Sequence, residues 1–289
     1  MPNHIQKAKL KQLGIRHFDD LIHDQPKEWL IQHFRKGARE YPINVSLLMR
    51  NIIWQLRERV MAGTREPLHE LIRTFWYMHI KTTLARVNSL APKADQYDQL
   101  IQALVDMVKD NNLMEYKDIG FRDNNRINRK VGINANVIVF AEKVGQADFL
   151  SEIHNQYQTS IIALGGQPSL LNAEYFVDDL KAKGVDIRRS FFLFSIVDFD
   201  TSGWIIRDAF VEDLKHYGIK HIKTVDIIHP DMLSSLEINA SRFEIKDEDK
   251  STSKKNTEWI REVKATKYNN YAFIKPSKTG RNRIIWGLE

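Results

Sequence analysis

The chain has 289 residues, 43% hydrophobic and 28% charged, a balance typical of globular proteins with one large or two modest hydrophobic cores, and we expect two domains. Lys and Arg total 43 against 37 for Asp and Glu, giving a formal charge of +6, which is compatible with a polyanionic partner without establishing one. The absence of cysteine excludes disulfides, thiolate metal sites and a cysteine nucleophile. No signal-peptide core or apolar run of about 18 residues occurs, so we expect a cytoplasmic protein, nucleoid-associated if prokaryotic, with no membrane partner.

The first half of the chain has three helical patterns. Apolar residues recur at helical spacing over residues 45–60, and a second pattern begins after Pro67, a residue suited to a first helical turn, and runs to Leu84. A third pattern spans residues 97–111, and residues 113–120 have an extended or turn-like composition. Three helices followed by a short hairpin favour a winged-helix (CAP-like) domain.

A polar stripe lies opposite the apolar stripe of the second helical pattern. Arg73, Tyr77 and Lys81 are spaced four residues apart, which places them along one helix face. We therefore expect the Tyr77 phenol to be exposed between two cations. On this pattern alone, a solvent-facing tyrosine without a function is the better interpretation.

The basic segment FRDNNRINRKVG separates the two halves of the chain. It supplies Arg122, Arg126, Arg129 and Lys130 among turn-forming residues, a composition typical of a domain boundary or of a wing that contacts DNA. Composition alone favours a solvated linker. We predict two domains, residues 1–130 and 131–289.

The second half alternates short β-rich runs with helical patterns. The predicted strands are 137–140, 160–164, 191–197 and 221–228, and the predicted helices are 147–153, 170–182 and 204–216. This alternation predicts an α/β domain with a Rossmann-like parallel sheet and helices on both faces.

Acidic residues follow two of these strands. Glu142 follows the first strand, and Asp198 and Asp200 follow the third, where functional groups of open parallel sheets collect. Three carboxylates repel one another unless a cation lies among them, and oxygen ligands favour Mg²⁺ or Mn²⁺. The alternative is structural, because Asp-x-Asp before a glycine turn also arises as a helix cap.

The segments AEKVGQADF, LGGQP and VDFDTSG, in that order, resemble the Toprim domain, and specifically that of the DNA-cleaving subunit of topoisomerase VI. RTFWYMHIK resembles the winged-helix catalytic segment of the same family, in which Tyr77 would correspond to the nucleophilic tyrosine and Arg73 to its companion arginine. The chain departs from the family at Trp76, where a second tyrosine is common, and in its short length, which resembles the reduced relatives called Mini-A.

The resemblance implies a type IIB topoisomerase A-like subunit that cuts double-stranded DNA as a homodimer through a tyrosyl-DNA intermediate. Glu142, Asp198 and Asp200 would hold Mg²⁺ or Mn²⁺. Candidate DNA contacts are Lys81, Arg126, Arg129 and Lys130, and ATP hydrolysis would reside on a GHKL-type B subunit, since the chain has no GxxxxGK[ST] loop.

Two other functions remain open at this point. The chain could be a Toprim nuclease in which water attacks the phosphodiester, or a DNA-binding module without catalytic activity. The basic stretch 246–289 fits either a solvated segment or an extension of a DNA channel.

Overall fold

A computed structural model of the protein describes residues 4–35, 43–87, 95–123, 125–164, 169–245, 259, 274–276 and 283–288. The chain divides into two compact units, Met1–Asn124 and Asn125–Glu289, whereas the sequence predicts a boundary after residue 130. Across the ranges given above, no helix has the length and apolar character needed to cross a membrane.

The first unit consists of helices. They are α1 His4–Gln12, α2 Lys27–Phe34, α3 Val45–Met61, α4 Ile72–Phe75, α5 Thr82–Val87 and α6 Asp95–Val105. A π-helical stretch, Trp76–Lys81, joins α4 to α5, and a second, Asp106–Asp110, follows α6. Short 3₁₀ turns occur at Ile22–Asp24 and Tyr116–Asp118.

Helix α3 provides much of the core of this unit. It begins where the Asn44 side chain accepts a hydrogen bond from the backbone N–H of Leu47 (3.1 Å), which satisfies one of the unpaired amides of the first turn. Its side chains Leu48, Ile52 and Leu56 are fully buried. The predicted helix at 45–60 is therefore confirmed, and α6 with its π-helical extension confirms the pattern at 97–111.

The second helix begins later than the sequence predicts, at Ile72 rather than after Pro67. The backbone N–H groups of Leu68 and His69 donate to the carbonyls of Ile119 and Gly120 (3.0 and 2.9 Å), and His69 has a positive φ of 51°. These tertiary hydrogen bonds hold residues 67–71 outside the helix and override the first-turn preference of proline.

The predicted hairpin after the third helix is not formed as a pair of consecutive strands. Residues 119–122 bond instead to residues 68–70, since the N–H of Arg122 also donates to the Glu70 carbonyl (2.7 Å). Among residues 4–35, 43–87 and 95–123, strand pairing is limited to one bridge between Arg35 and Ile43.

The second unit contains a five-stranded, mostly parallel sheet, compatible with a Rossmann-like arrangement. Its order is β1-β3-β2-β4-β5, and only β1 runs antiparallel to its neighbour. The strands are β1 Arg129–Lys130, β2 Asn134–Ala141, β3 Thr159–Ala163, β4 Phe191–Ile196 and β5 Ile222–Asp226. All four predicted strands are confirmed, and β1 is the one that the sequence pattern missed.

Helices cover both faces of this sheet, as predicted. They are α7 Ala147–Tyr157, α8 Ser169–Ala182 and α9 Thr201–His216. Side chains of α8 and α9, including Phe176 and Phe210, form one core with Phe140 and Leu193 of the sheet. On the other face, Leu150 of α7 packs with Val139 and Ala141 of β2 and with Ile161 and Ala163 of β3.

A second, three-stranded antiparallel sheet is the largest feature that the sequence did not predict. Its order is β6-β8-β7, with β6 Arg242–Ile245, β7 Ile274–Pro276 and β8 Arg283–Leu288, and helix α10 Ser235–Ser241 precedes it. The basic stretch 246–289 thus contributes at least two strands. Lys278 and Arg281 of that stretch lie outside the described residues.

Two buried amide side chains of α3 hold the segment 14–22 of the first unit against this helix. Asn51 accepts from the N–H of Arg16 (2.9 Å). Gln55 accepts from the N–H of Ile22 (3.0 Å) and donates to the carbonyls of Phe18 and Asp20 (2.8 and 2.7 Å). One side chain therefore satisfies three backbone groups.

We predict that Gln55→Leu lowers the free energy of unfolding by about 3 kcal/mol, because each buried polar group left without a partner costs about 1–3 kcal/mol. Urea denaturation measures the change. The same substitution at the exposed Gln102 is the control, and there we expect a change within about 0.5 kcal/mol. Equal effects at the two positions would contradict the tethering role of Gln55.

Candidate functional site

The predicted acidic residues lie at the carboxyl edge of the parallel sheet. Glu142 directly follows β2, and its N–H donates to the carbonyl of Ile196 at the end of β4 (3.4 Å). Asp198 and Asp200 lie just beyond β4, and the N–H of Asp200 donates to the carbonyl of Asp198 (2.8 Å). We call Asp198–Asp200 the acid turn. Adjacent parallel strands thus bring all three carboxylates to one edge.

Asp200 has the structural role that the sequence left open as an alternative. It is the N-cap of α9, and its carboxylate accepts from the N–H of Gly203 (2.7 Å). Gly203 is required by close packing, since a Cβ atom at this position would lie 2.2 Å from the carbonyl oxygen of Asp198. The helix therefore begins in direct contact with the acid turn.

The carboxylates interact electrostatically. Burial, and then the negative charge of Asp198, raises the pKa of Glu142 above its usual value, although Lys143 opposes the shift. Burial also raises the pKa of Asp200, and Asp198 contributes. The Lys143 ammonium lies 3.2 and 3.0 Å from the two carboxylate oxygens of Asp198. The edge thus accumulates negative charge that one lysine partly neutralises.

The donor chemistry of these residues fits a divalent cation, since they offer carboxylate oxygens whose mutual repulsion such an ion would relieve. In this arrangement Asp198 is bonded to Lys143 and Asp200 caps α9. Within the ranges described, no three His, Asp or Glu side chains converge as ligands of a single ion. A cation bound here would compete with Lys143 for the Asp198 carboxylate.

Asparagine side chains brace the neighbouring end of β3. Asn125 donates to the carbonyl of Ala163 (2.5 Å) and to the side-chain oxygen of Asn172 (2.9 Å), and Asn172 donates to the carbonyl of Leu164 (3.2 Å). The sequence pattern did not reveal these residues, because an Asn-rich segment is typical of a linker. The glycine pair that follows in the sequence, Gly165 and Gly166, lies outside the described residues.

In the first unit, Tyr77 is 44% exposed and lies between the two predicted cations. Arg73 donates to its phenol oxygen (3.3 Å), and the Lys81 ammonium is 4.9 Å from the centre of its ring. Tyr77 belongs to the π-helical stretch Trp76–Lys81, a wide turn that often occurs at functional sites. The geometry expected from the spacing of Arg73, Tyr77 and Lys81 is therefore observed.

Tyr97 is a residue of this cluster that the sequence pattern did not reveal. The Arg73 guanidinium lies 4.5 Å from the centre of the Tyr97 ring and 5.5 Å from that of Tyr77, and Trp76 contacts Tyr97 edge-on (5.9 Å). Cation–π contacts on both sides hold Arg73 in place. No sequence pattern predicts this contact, because Tyr97 lies on α6, far along the chain from Arg73.

The predicted basic contacts have different environments. Arg126 and Lys130 are exposed, and Lys130 donates to the Ser151 hydroxyl (3.4 Å). Arg129 is only 5% exposed, donates to Asp179 (2.7 Å) and lies 5.7 Å from the centre of the Tyr175 ring. Its burial and ion pair favour a structural role over the predicted DNA contact, because a buried, paired guanidinium is not presented to a phosphate.

Buried polar groups lie beneath the helix that carries Tyr77. The rings of His23 and His79 are 4.7 Å apart, and His79 Nε2 lies 3.7 Å from a carboxylate oxygen of Glu70. Both ring nitrogens of His79, Nδ1 of His23 and that Glu70 oxygen lack a hydrogen-bond partner in the described part of the chain. Burial lowers the pKa of His79 to about 4, and the charge of His23 adds to the effect.

No protein-family model matches this chain, and comparison with curated proteins finds no significant match.

We predict that Gly203→Ala destabilises the second unit by about 1–3 kcal/mol, the usual cost of forcing atoms into a packed site. The added Cβ would displace the Asp198 carbonyl or the start of α9. Thermal unfolding measures the loss. Gly145→Ala is the matched control, since a Cβ there meets open space, and a similar loss at both glycines would contradict the close-packing argument.

We predict that the stability of the first unit falls as the pH drops from about 6.5 to about 4. In this window the unfolded chain protonates His79, whose folded pKa is about 4, so the folded state loses up to about 1.4 kcal/mol per pH unit. Glu70, whose pKa burial raises, acts in the opposite direction, because its protonation favours the folded state as pH falls. The charged neighbours of His23, which include Arg65 and Asp24, are the same in wild type and in the His79→Phe variant that tests this prediction.

Urea midpoints of wild type and His79→Phe between pH 7 and 4 isolate the contribution of His79. The variant keeps an aromatic ring against Phe75 and His23 but cannot titrate, so its stability should depend less on pH. His221→Phe, at an exposed position, should behave as wild type. Parallel curves for wild type and His79→Phe would show that His79 is not the group responsible.

Proposed function

We propose that this chain is similar in function to the DNA-cleaving subunit of topoisomerase VI: a type IIB topoisomerase A-like subunit, with a winged-helix and a Toprim domain, that cleaves double-stranded DNA through a covalent tyrosyl-DNA intermediate. The observation that carries the proposal is the exposed phenol of Tyr77 held between Arg73 and Lys81. A phosphodiester approaching this phenol would meet two cations, and it would do so on a helix whose opposite side is buried.

Tyr77 is the nucleophile in this proposal. Its phenol gives up its proton to water, and the phenol oxygen forms a bond to the phosphorus atom as the bond to the 3′ oxygen breaks. The 3′ oxygen takes up a proton from water, which leaves a 3′ hydroxyl and a 5′-phosphotyrosyl link. A free phenol is a weak nucleophile, and the two cations beside it would stabilise the negative charge that develops as its oxygen attacks the phosphate. Arg73 would also bind the phosphate through its planar set of N–H donors, and Tyr97 would keep Arg73 oriented.

Glu142, Asp198 and Asp200 would hold Mg²⁺ or Mn²⁺ in the second unit. When bound, such an ion supplies positive charge that stabilises the developing charge on the phosphate. Lys143 would hold the Asp198 carboxylate in place before the ion binds. Arg126 and Lys130 are exposed, and they remain candidate contacts to the DNA backbone.

The partners in this proposal follow from the family resemblance. A homodimer would cut both strands, and a GHKL-type B subunit would supply ATP hydrolysis, with the cytoplasm as the compartment. A second candidate function, a Toprim nuclease that uses water, is favoured by one observation. All three acidic residues belong to the second unit, whereas Tyr77 belongs to the first.

Supercoiled plasmid incubated with the protein and Mg²⁺ or Mn²⁺, then stopped with detergent, tests the proposal. We predict that wild type gives breaks with protein attached to the DNA ends and that Tyr77→Phe loses this adduct at least about 100-fold, as expected for removal of a nucleophile. Tyr157→Phe is the matched control at another exposed tyrosine, and it should keep the adduct.

Asp198→Asn and omission of the metal should each abolish cleavage. Free DNA ends that persist in Tyr77→Phe and require Asp198 would establish the water-dependent nuclease instead. A third outcome is that the protein binds DNA but does not cleave it, even when a GHKL-type ATPase is added. If Asp198→Asn and Tyr77→Phe also leave DNA binding unchanged, only the non-catalytic role would remain.

A further inference from the structure

A cavity of about 600 Å³ lies beside α7 on one face of the parallel sheet. Helix α7 packs against β3 and β2, whereas α8 and α9 belong to the core on the opposite face. The side chains of Val139 on β2 and of Phe194 on β4 line the cavity. We call this cavity the α7 recess, and it lies entirely within the second unit.

One wall of the α7 recess consists of three side chains of α7, namely Phe149, Ile153 and Tyr157. They are four residues apart and so share one stripe of the helix, next to the fully buried Leu150, which packs into the core. Phe149 and Tyr157 are 54% and 56% exposed. Large apolar side chains that are exposed together mark sites of interaction. The helix thus presents to the recess an apolar stripe that the sheet does not cover.

Uncharged polar groups lie at one end of the α7 recess. Asn134 and Thr159, which both line it, are opposite each other where β2 pairs with β3. Asn134 donates to the Tyr157 carbonyl (2.9 Å), and an amide side chain has a second N–H and an oxygen acceptor. The Thr159 hydroxyl has no hydrogen-bond partner in the described part of the chain. Ile196 and Ile227, toward the carboxyl ends of the strands, make the other end apolar.

Size and charge limit what the α7 recess can hold. Its volume is within the range of small-molecule sites, about 300–1,000 Å³. Its eleven lining residues are fewer than the roughly 20–30 that each side of a standard protein interface contributes. None of the eleven is charged, although 28% of the chain is. A charged group buried here would lack an ionic partner, at a high cost in free energy, so the recess suits a small neutral occupant.

We propose that the α7 recess binds a small, neutral, aromatic molecule with one hydrogen-bonding group directed toward Asn134. The rings of Phe149, Tyr157 and Phe194 offer edge-on and offset-stacked contacts to such a molecule. Neither Tyr77 nor the three acidic residues line the recess, so this binding is independent of the proposed function.

Fluorescence titration of the whole protein with N-phenylnaphthylamine, a neutral aromatic amine with one N–H, tests the proposal. We expect one molecule to bind per chain with blue-shifted emission, and Phe149→Ala to weaken binding about tenfold because it removes an aromatic ring from the wall. Leu236→Ala, at an 82% exposed residue that does not line the recess, should bind within about twofold of wild type. No binding by wild type, or an equal loss in both variants, would overturn the proposal.

Anilinonaphthalene sulfonate separates a neutral site from a nonspecific apolar surface, because it has the same rings and a negative charge. Wild type should bind it at least about tenfold more weakly than N-phenylnaphthylamine, and this comparison does not require a variant to fold. Equal affinity for the two dyes would contradict a neutral occupant. Sedimentation velocity tests the other occupant. A wild-type dimer that binds no dye and that Phe149→Ala converts to a monomer would assign the recess to a second copy instead.

Discussion

The accumulation of negative charge at the carboxyl edge of the sheet is the constraint on which the second unit depends. Parallel pairing of β2 with β4 brings Glu142 beside the acid turn, so the fold itself creates the repulsion. The repulsion is opposed by the Lys143 ammonium, by the backbone N–H of Gly203 and by the positive end of α9. Each of these groups attracts negative charge, and together they allow three carboxylates to share one edge.

The Tyr77 cluster has the opposite sign and is stabilised in a different way. Two cations surround a ring rather than a carboxylate, and Arg73 and Lys81 make cation–π contacts with Tyr77 and Tyr97. On the buried side of the same helix, His79 is favoured in its neutral form. A neutral imidazole adds no further positive charge beneath Arg73 and Lys81.

Local sequence patterns predicted the helices and strands that are determined by their own continuous segments of the chain. Alternating runs predicted the parallel strands and the helices α7 to α9, and the four-residue spacing predicted the exposure of Tyr77. The predicted start of the second helix was wrong because Leu68 and His69 bond to a segment about fifty residues away. The contacts of Tyr97 and Arg129 were missed for the same reason, since each joins residues that only the tertiary structure brings together.

Asp200 shows why a motif can have both a structural and a chemical meaning. One carboxylate oxygen caps α9 through Gly203 (2.7 Å), and a carboxylate has a second oxygen with further lone pairs. The cap orients the Asp200 side chain without requiring the carboxylate to lose its negative charge, since an ionised carboxylate is the better acceptor at a helix N-terminus. The raised pKa of Asp200 shows that burial and Asp198 outweigh this cap. Because a bound cation would favour the ionised form, helix capping and metal binding at Asp200 would support each other rather than compete.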